Sequence, residues 1–77
     1  MDVKVLVFGQ IRDYTGWDEK TFSNIPDTEN LKNLLETEYP GLKKLQYQMA
    51  LNHSLIAMST TLHNLDEIAL LPPFSGG

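Results

Sequence analysis

The last six residues of the chain, Pro72-Pro73-Phe74-Ser75-Gly76-Gly77, hold its most distinctive chemistry. Two prolines cannot donate strand hydrogen bonds, so they end any sheet before them and hold the residues after them extended. Gly76 and Gly77 have no side chain. Such an end can thread a narrow channel, and no Cβ obstructs attack at its carbonyl. Phe74 is a large apolar group placed to anchor the tail in a partner's pocket. The reactive atom is then the α-carboxylate of Gly77. With an ordinary pKa of about 3.3–3.7 it is ionised at neutral pH and is a poor electrophile. Acyl-adenylate formation with ATP and Mg²⁺ supplies a leaving group, and attack by a sulfur donor then yields a thiocarboxylate, a strong sulfur nucleophile. The chain itself has no cysteine, so any activating site belongs to another protein. Terminal glycines also occur in linkers and frayed ends, and Gly-Gly alone is a weak motif.

The tail must be carried by a body. Seventy-seven residues make one small domain, expected to comprise residues 1–71 with the tail over 72–77. Alternating apolar residues from Val3 to Phe8 predict a central strand, apolar on both faces. Ile11, Tyr14 and Gly16 suit one irregular helical turn closed by glycine. Residues 19–25 predict a weaker strand in a hairpin with the first. Thr28 is expected to cap a helix. Leu31, Leu34, Leu35 and Tyr39 share one face of it, and Pro40-Gly41 stops it. A connection over 43–46, with room for one short turn, leads to alternating Tyr47, Met49 and Leu51. A turn at Asn52-His53-Ser54 precedes a short strand over 55–58. A loop over 59–65 comes next, with Leu62 expected in the core. Residues 67–71 form the last strand, again apolar on both faces. The economical solution is an α+β arrangement. The first and last strands lie parallel at the centre of a mixed sheet of four to five strands, and one main helix covers one face: a β-grasp.

Composition removes other classes. Without cysteine there are no disulfides, thiolate catalysis or cysteine metal cages. His53 and His63 show no metal spacing, so no metal is expected. The formal charge is −4 and eight of ten acids precede residue 39, which argues against nucleic acid and suits a basic protein partner. No run of eighteen apolar residues or signal-peptide pattern is present, so no membrane association and a cytoplasmic location are expected.

Three segments resemble the small subunit of molybdopterin synthase, the MoaD-like branch of the ubiquitin-like sulfur carriers. Phe8-Gly9-Gln10-Ile11-Arg12-Asp13-Tyr14-Thr15-Gly16 resembles that family's "(F/A)-x-x-R-(E/D)-x-x-G", with Arg12, Asp13 and Gly16 at its spacing and Phe8 one position farther from the arginine. Leu51-Asn52 resembles its "(V/L)-N". Leu65 to Gly77, LDEIALLPPFSGG, resembles "G-D-E-(V/I)-A-(F/L)-(F/L)-P-P-V-(S/T/A)-G-G". The resemblance implies that an E1-like enzyme adenylates Gly77, which a sulfur donor protein converts to a thiocarboxylate. The tail then enters a large catalytic subunit and gives sulfur to cyclic pyranopterin monophosphate, in a heterotetramer of two small and two large subunits. Pro72, Pro73, Phe74, Ser75 and Gly76 thread; Phe8, Arg12 and Leu71 are candidates for docking, the plainer readings being a core residue for Phe8 and an ordinary solvated arginine for Arg12. No permanently bound cofactor is implied. Related carriers serving thiamine or tRNA thiolation, ubiquitin-like protein modifiers, and inert interaction domains remain open. Leu65 stands where the pattern has glycine, and Asn64 is expected to supply the positive φ one position earlier.

Overall fold

The computed structural model describes residues 2–56 and 59–72. β1 (Asp2–Val7) buries Val3, Val5 and Val7 and turns Asp2, Lys4 and Leu6 to the other face. Branched side chains restrict χ1 and suit this pleated, half-buried setting. β1 lies between β2 (Glu19–Ser23), which is antiparallel to it, and β5 (Glu67–Leu71), which is parallel. β3 (Gln48–Leu51) continues from β5, and β4 (Ser54–Ile56) forms the far edge. The order among the described residues is β2-β1-β5-β3-β4, so β1 and β5 are central, as their two apolar faces require. Residues 57 and 58, expected in the fourth strand, lie outside the described residues.

α1 (Ile11–Thr15) ends on Gly16 at φ 82°, the left-handed cap expected. The main helix, α2 (Thr28–Glu38), packs fully buried Leu31 and Leu35 on Val3, Val5, Ile68 and Leu70, with Leu34 and Tyr39 at the margin. Its cap is Asp27, not Thr28. Asp27 is extended, and its carboxylate accepts the backbone N–H of Asn30 at 2.8 Å. Those amide bonds hold the Asp27 carboxyl below its ordinary pKa. Thr28 is already helical and buried. Its Oγ1 accepts from the Thr60 N–H at 2.9 Å, while its own N–H donates to the Thr60 carbonyl. This clip, with Leu62 N–H donating to the Pro26 carbonyl, draws Leu62 into the core.

Pro40 does more than stop α2. It opens a 3₁₀ helix over Pro40–Lys44 that buries Leu42 completely, because a proline's fixed φ suits a first helical turn. Tyr47 O–H donates to Glu36 at 2.6 Å, tying the approach to β3 to α2. Burial first, and this carboxylate second, push the phenol above its ordinary pKa. Asn52 and His53 have φ of 47° and 75°, both left-handed, as a two-residue hairpin turn demands. The mixed sheet with one helix across one face is the β-grasp arrangement expected.

The turn into β5 departs from expectation. Leu65 itself takes φ 70°, and its N–H donates to the Asp2 carbonyl at 2.7 Å. Asn64 has no positive φ; its Oδ1 accepts from the Asp2 N–H at 2.8 Å. With both groups clamped to the start of β1, the turn needs its left-handed residue at 65.

Candidate functional site

In a two-layer fold α2 covers one face of the sheet, and the other face has no helix over it; there Ala50 is buried by its neighbours, Leu6, Ala69 and Leu71 are partly exposed, and Phe8 and Leu55 are exposed. Leu6 of β1 stands beside Ala69 of β5, Ala69 beside Ala50 of β3, and Ala50 beside Leu55 of β4. Phe8 and Leu71 extend this row toward the C-terminal end of β5. Leu6, Phe8, Ala50, Ala69 and Leu71, with His53 and Glu67, line a shallow depression of about 260 Å³. Phe8 is 46 % exposed and Leu55 64 %. An apolar sheet face with no covering layer is a candidate interaction surface. Phe8 is therefore not a core residue, and the structure brings it together with Leu71. Arg12 does not line the depression. Its guanidinium lies 2.7 Å from the Asp18 carboxylate, with both side chains largely exposed. Such a pair contributes about 0–1 kcal/mol, so a partner's carboxylate can displace it cheaply.

The same end of the sheet is where the tail begins. Leu71 pairs with Gln48, and Phe8 N–H donates to the Leu70 carbonyl at 3.3 Å. Pro72 comes next, half-buried against Gly9. Pro73, Phe74, Ser75, Gly76 and Gly77, expected to thread and to carry the acyl chemistry, lie outside the described residues.

Asn52, Asp66 and Glu67 lock the opposite end of β5. Asn52 Nδ2 donates to the Asp66 carboxylate at 3.0 Å, and Asn52 Oδ1 accepts from the Glu67 N–H at 3.0 Å. The second Asp66 oxygen accepts from the His63 N–H at 2.7 Å. The Asn52 side chain first, and the His63 amide second, hold the Asp66 carboxyl below its ordinary pKa. These acids shape a turn. Among the described residues no cluster of three His, Cys, Asp or Glu is placed to hold a metal ion, and no helix is long and apolar enough to cross a membrane.

The model of the ThiS family matches residues 5–77. The chain belongs to the ThiS family. Within this family's relatives, the molybdopterin synthase sulfur carrier subunit of Mycobacterium tuberculosis is 38 % identical, with 97 % of this chain and 96 % of that protein aligned. Among solved structures, the Helicobacter pylori complex of subunits 1 and 2 of molybdopterin-converting factor contains a chain 35 % identical, with a TM-score of 0.77 and full coverage of both chains. Small archaeal modifier protein 1 from Methanosarcina acetivorans is 27 % identical, with a TM-score of 0.82, covering 99 % of this chain and 96 % of that one. In this ThiS-family chain the structure places Phe8 and Leu71, both singled out in the sequence, on one face of the sheet. Leu6, Ala50, Leu55 and Ala69 share that face and were not singled out, although the doubly apolar strands carried their signal.

Proposed function

We propose that this chain is the sulfur-carrier subunit of molybdopterin synthase. The observation that carries the reading is the meeting of an uncovered apolar face with the root of the tail. Phe8 and Leu71 of that face sit where the chain leaves the sheet for Pro72. A large catalytic subunit that grips the face receives the tail at the same place, and the assembly is a heterotetramer of two small and two large subunits.

The chemistry begins outside the chain. An E1-like enzyme, using ATP and Mg²⁺, lets a Gly77 carboxylate oxygen attack the α-phosphorus, and pyrophosphate leaves. A sulfide-level sulfur from a donor protein adds to the acyl carbon, and AMP leaves, giving the thiocarboxylate. In the large subunit that sulfur bonds to a carbon of cyclic pyranopterin monophosphate as a carbon–oxygen bond at the same carbon breaks, the oxygen leaving as water or with the phosphate. Water then cleaves the acyl–sulfur bond, leaving sulfur on the substrate and restoring the carboxylate. Two charged chains supply the two sulfurs of the dithiolene. The cytoplasm supplies the ATP this requires.

The test is intact mass after incubation with ATP, Mg²⁺, an activating enzyme and a sulfide source. We expect a gain equal to one oxygen exchanged for sulfur. Deletion of Gly77 should abolish the gain and leave the fold intact, because β5 ends at Leu71. Full activity of the deletion variant refutes the proposal. The likeness to the archaeal modifier favours a second reading, in which a lysine amine attacks the same acyl-adenylate. Conjugates of this chain with other proteins would establish it.

A further inference from the structure

We infer that Gly9 is a positioning residue for the C-terminal tail, because its bare Cα forms the seat on which Pro72 sets the direction of exit. The inference rests on the carrier reading above and adds a residue to it. Parallel pairing of β1 with β5 brings the two C-terminal strand ends together, with Val7 beside Leu70. The turn after β1 therefore stands beside the residues after β5. At that turn Gly9 has φ 60°, and a Cβ built on it would lie 2.6 Å from Pro72 Cγ, with Pro72 Cβ at 3.6 Å and Cδ at 3.8 Å. Glycine meets two separate demands here. The left-handed φ strains an L side chain, and the proline ring fills the space the side chain would need.

The turn cannot give way to relieve that clash. Ile11 N–H donates to the Phe8 carbonyl at 3.3 Å and Arg12 N–H to the Gly9 carbonyl at 3.2 Å. Ile11 itself is fully buried and anchors the turn in the core. Pro72 has only a change of ring pucker with which to give way, because its side chain is a closed ring with no free χ1 rotation. A methyl group at position 9 therefore presses on a ring fused to the Pro72 backbone. Restoring ordinary contact requires about 1 Å of movement, and a misplacement of that size costs a reaction on the order of 10²-fold.

The experiment uses full-length chain with its large subunit. Gly9→Ala should lower single-turnover sulfur transfer by about ten- to a hundredfold while leaving affinity for the large subunit unchanged. Pro72→Ala removes the ring that would clash. The double variant should then transfer sulfur at the rate of Pro72→Ala alone. The φ strain is independent of the ring, so Gly9→Ala should lower the melting temperature in both backgrounds, and by more where the Pro72 ring is present. In the free wild-type chain, NOEs should connect the Gly9 Hα protons to the Pro72 ring. Unchanged transfer by Gly9→Ala, additive losses in the double variant, a loss confined to affinity, or absence of those NOEs would each overturn the inference. A wild-type chain that transfers no sulfur sinks the carrier reading instead, and the NOEs still decide the contact.

Discussion

Leu65 allows a stability prediction to be worked from the structure. It is 80 % exposed, its φ is 70°, and its N–H is bonded to the Asp2 carbonyl. A left-handed conformation costs an L-residue about 1–2 kcal/mol. Replacing Leu65 by glycine removes that strain but frees the unfolded chain, at a cost of about 0.4–1 kcal/mol. Only a fifth of the side chain is covered, so its lost burial costs roughly 0.3–0.6 kcal/mol. Leu65→Ala suffers the same burial loss and keeps the strain. The informative comparison is therefore glycine against alanine, where burial cancels and glycine should be more stable by about 0.8 kcal/mol. For a domain of this size that is a melting-temperature difference of about 3–6 °C. Thermal unfolding by circular dichroism, with urea titration as a check on the slope, measures it. Leu65→Gly should also equal or slightly exceed the wild type. If Leu65→Gly melts no higher than Leu65→Ala, the backbone at 65 is unstrained and the account of this turn is wrong.

The apolar face and the Asn52 lock give two further expected outcomes. Leu71→Asp places a charge in the open apolar face beside Phe8. It should weaken binding of the large subunit by more than about tenfold in titration calorimetry, and retained affinity would remove this face from the interface. Asn52→Ala removes both side-chain bonds to the start of β5 and should cost roughly 1–2 kcal/mol in urea unfolding. It should also flatten the acid dependence. The depressed Asp66 pKa contributes stability that is present above the unfolded carboxylate value of about 3.9 and is lost as pH falls through the lower folded value. Asn52 is the largest cause of that depression. The urea midpoint of the variant should therefore fall less between about pH 5 and pH 2 than that of the wild type, and equal slopes would contradict the assignment.

The strand pattern was readable because its causes are local. The alternation of Val3, Val5 and Val7, the spacing of Leu31 and Leu35, and Gly16 after a helical turn are each decided within a few residues. The misassigned positions were decided by partners far along the chain. Thr28 lost the cap to Asp27 because its hydroxyl is needed by Thr60, thirty-two residues on. Asn64 lost the left-handed position because its side chain is used by Asp2. The open apolar face was half legible. Two apolar faces on β1 and β5 correctly implied central strands, but only the placement of a single helix shows that the second face is left open. Gly9 was unreadable as a seat, since nothing near it in sequence announces Pro72.

Parallel pairing of β1 and β5 links these features. Had the last strand run antiparallel to the first, the tail would leave beside Asp2, at the end of the sheet occupied by Asn64, Leu65 and their clamp. In the observed register Phe8, Gly9, Leu71 and Pro72 converge instead. A partner gripping Phe8 and Leu71 then holds the point from which the tail departs. Docking energy can come from the face, and the tail need supply little affinity of its own. On the proposed carrier reading the terminus enters one active site for charging and another for delivery, and it gains from that division, because a tail that bound tightly at both sites would be slow to leave each.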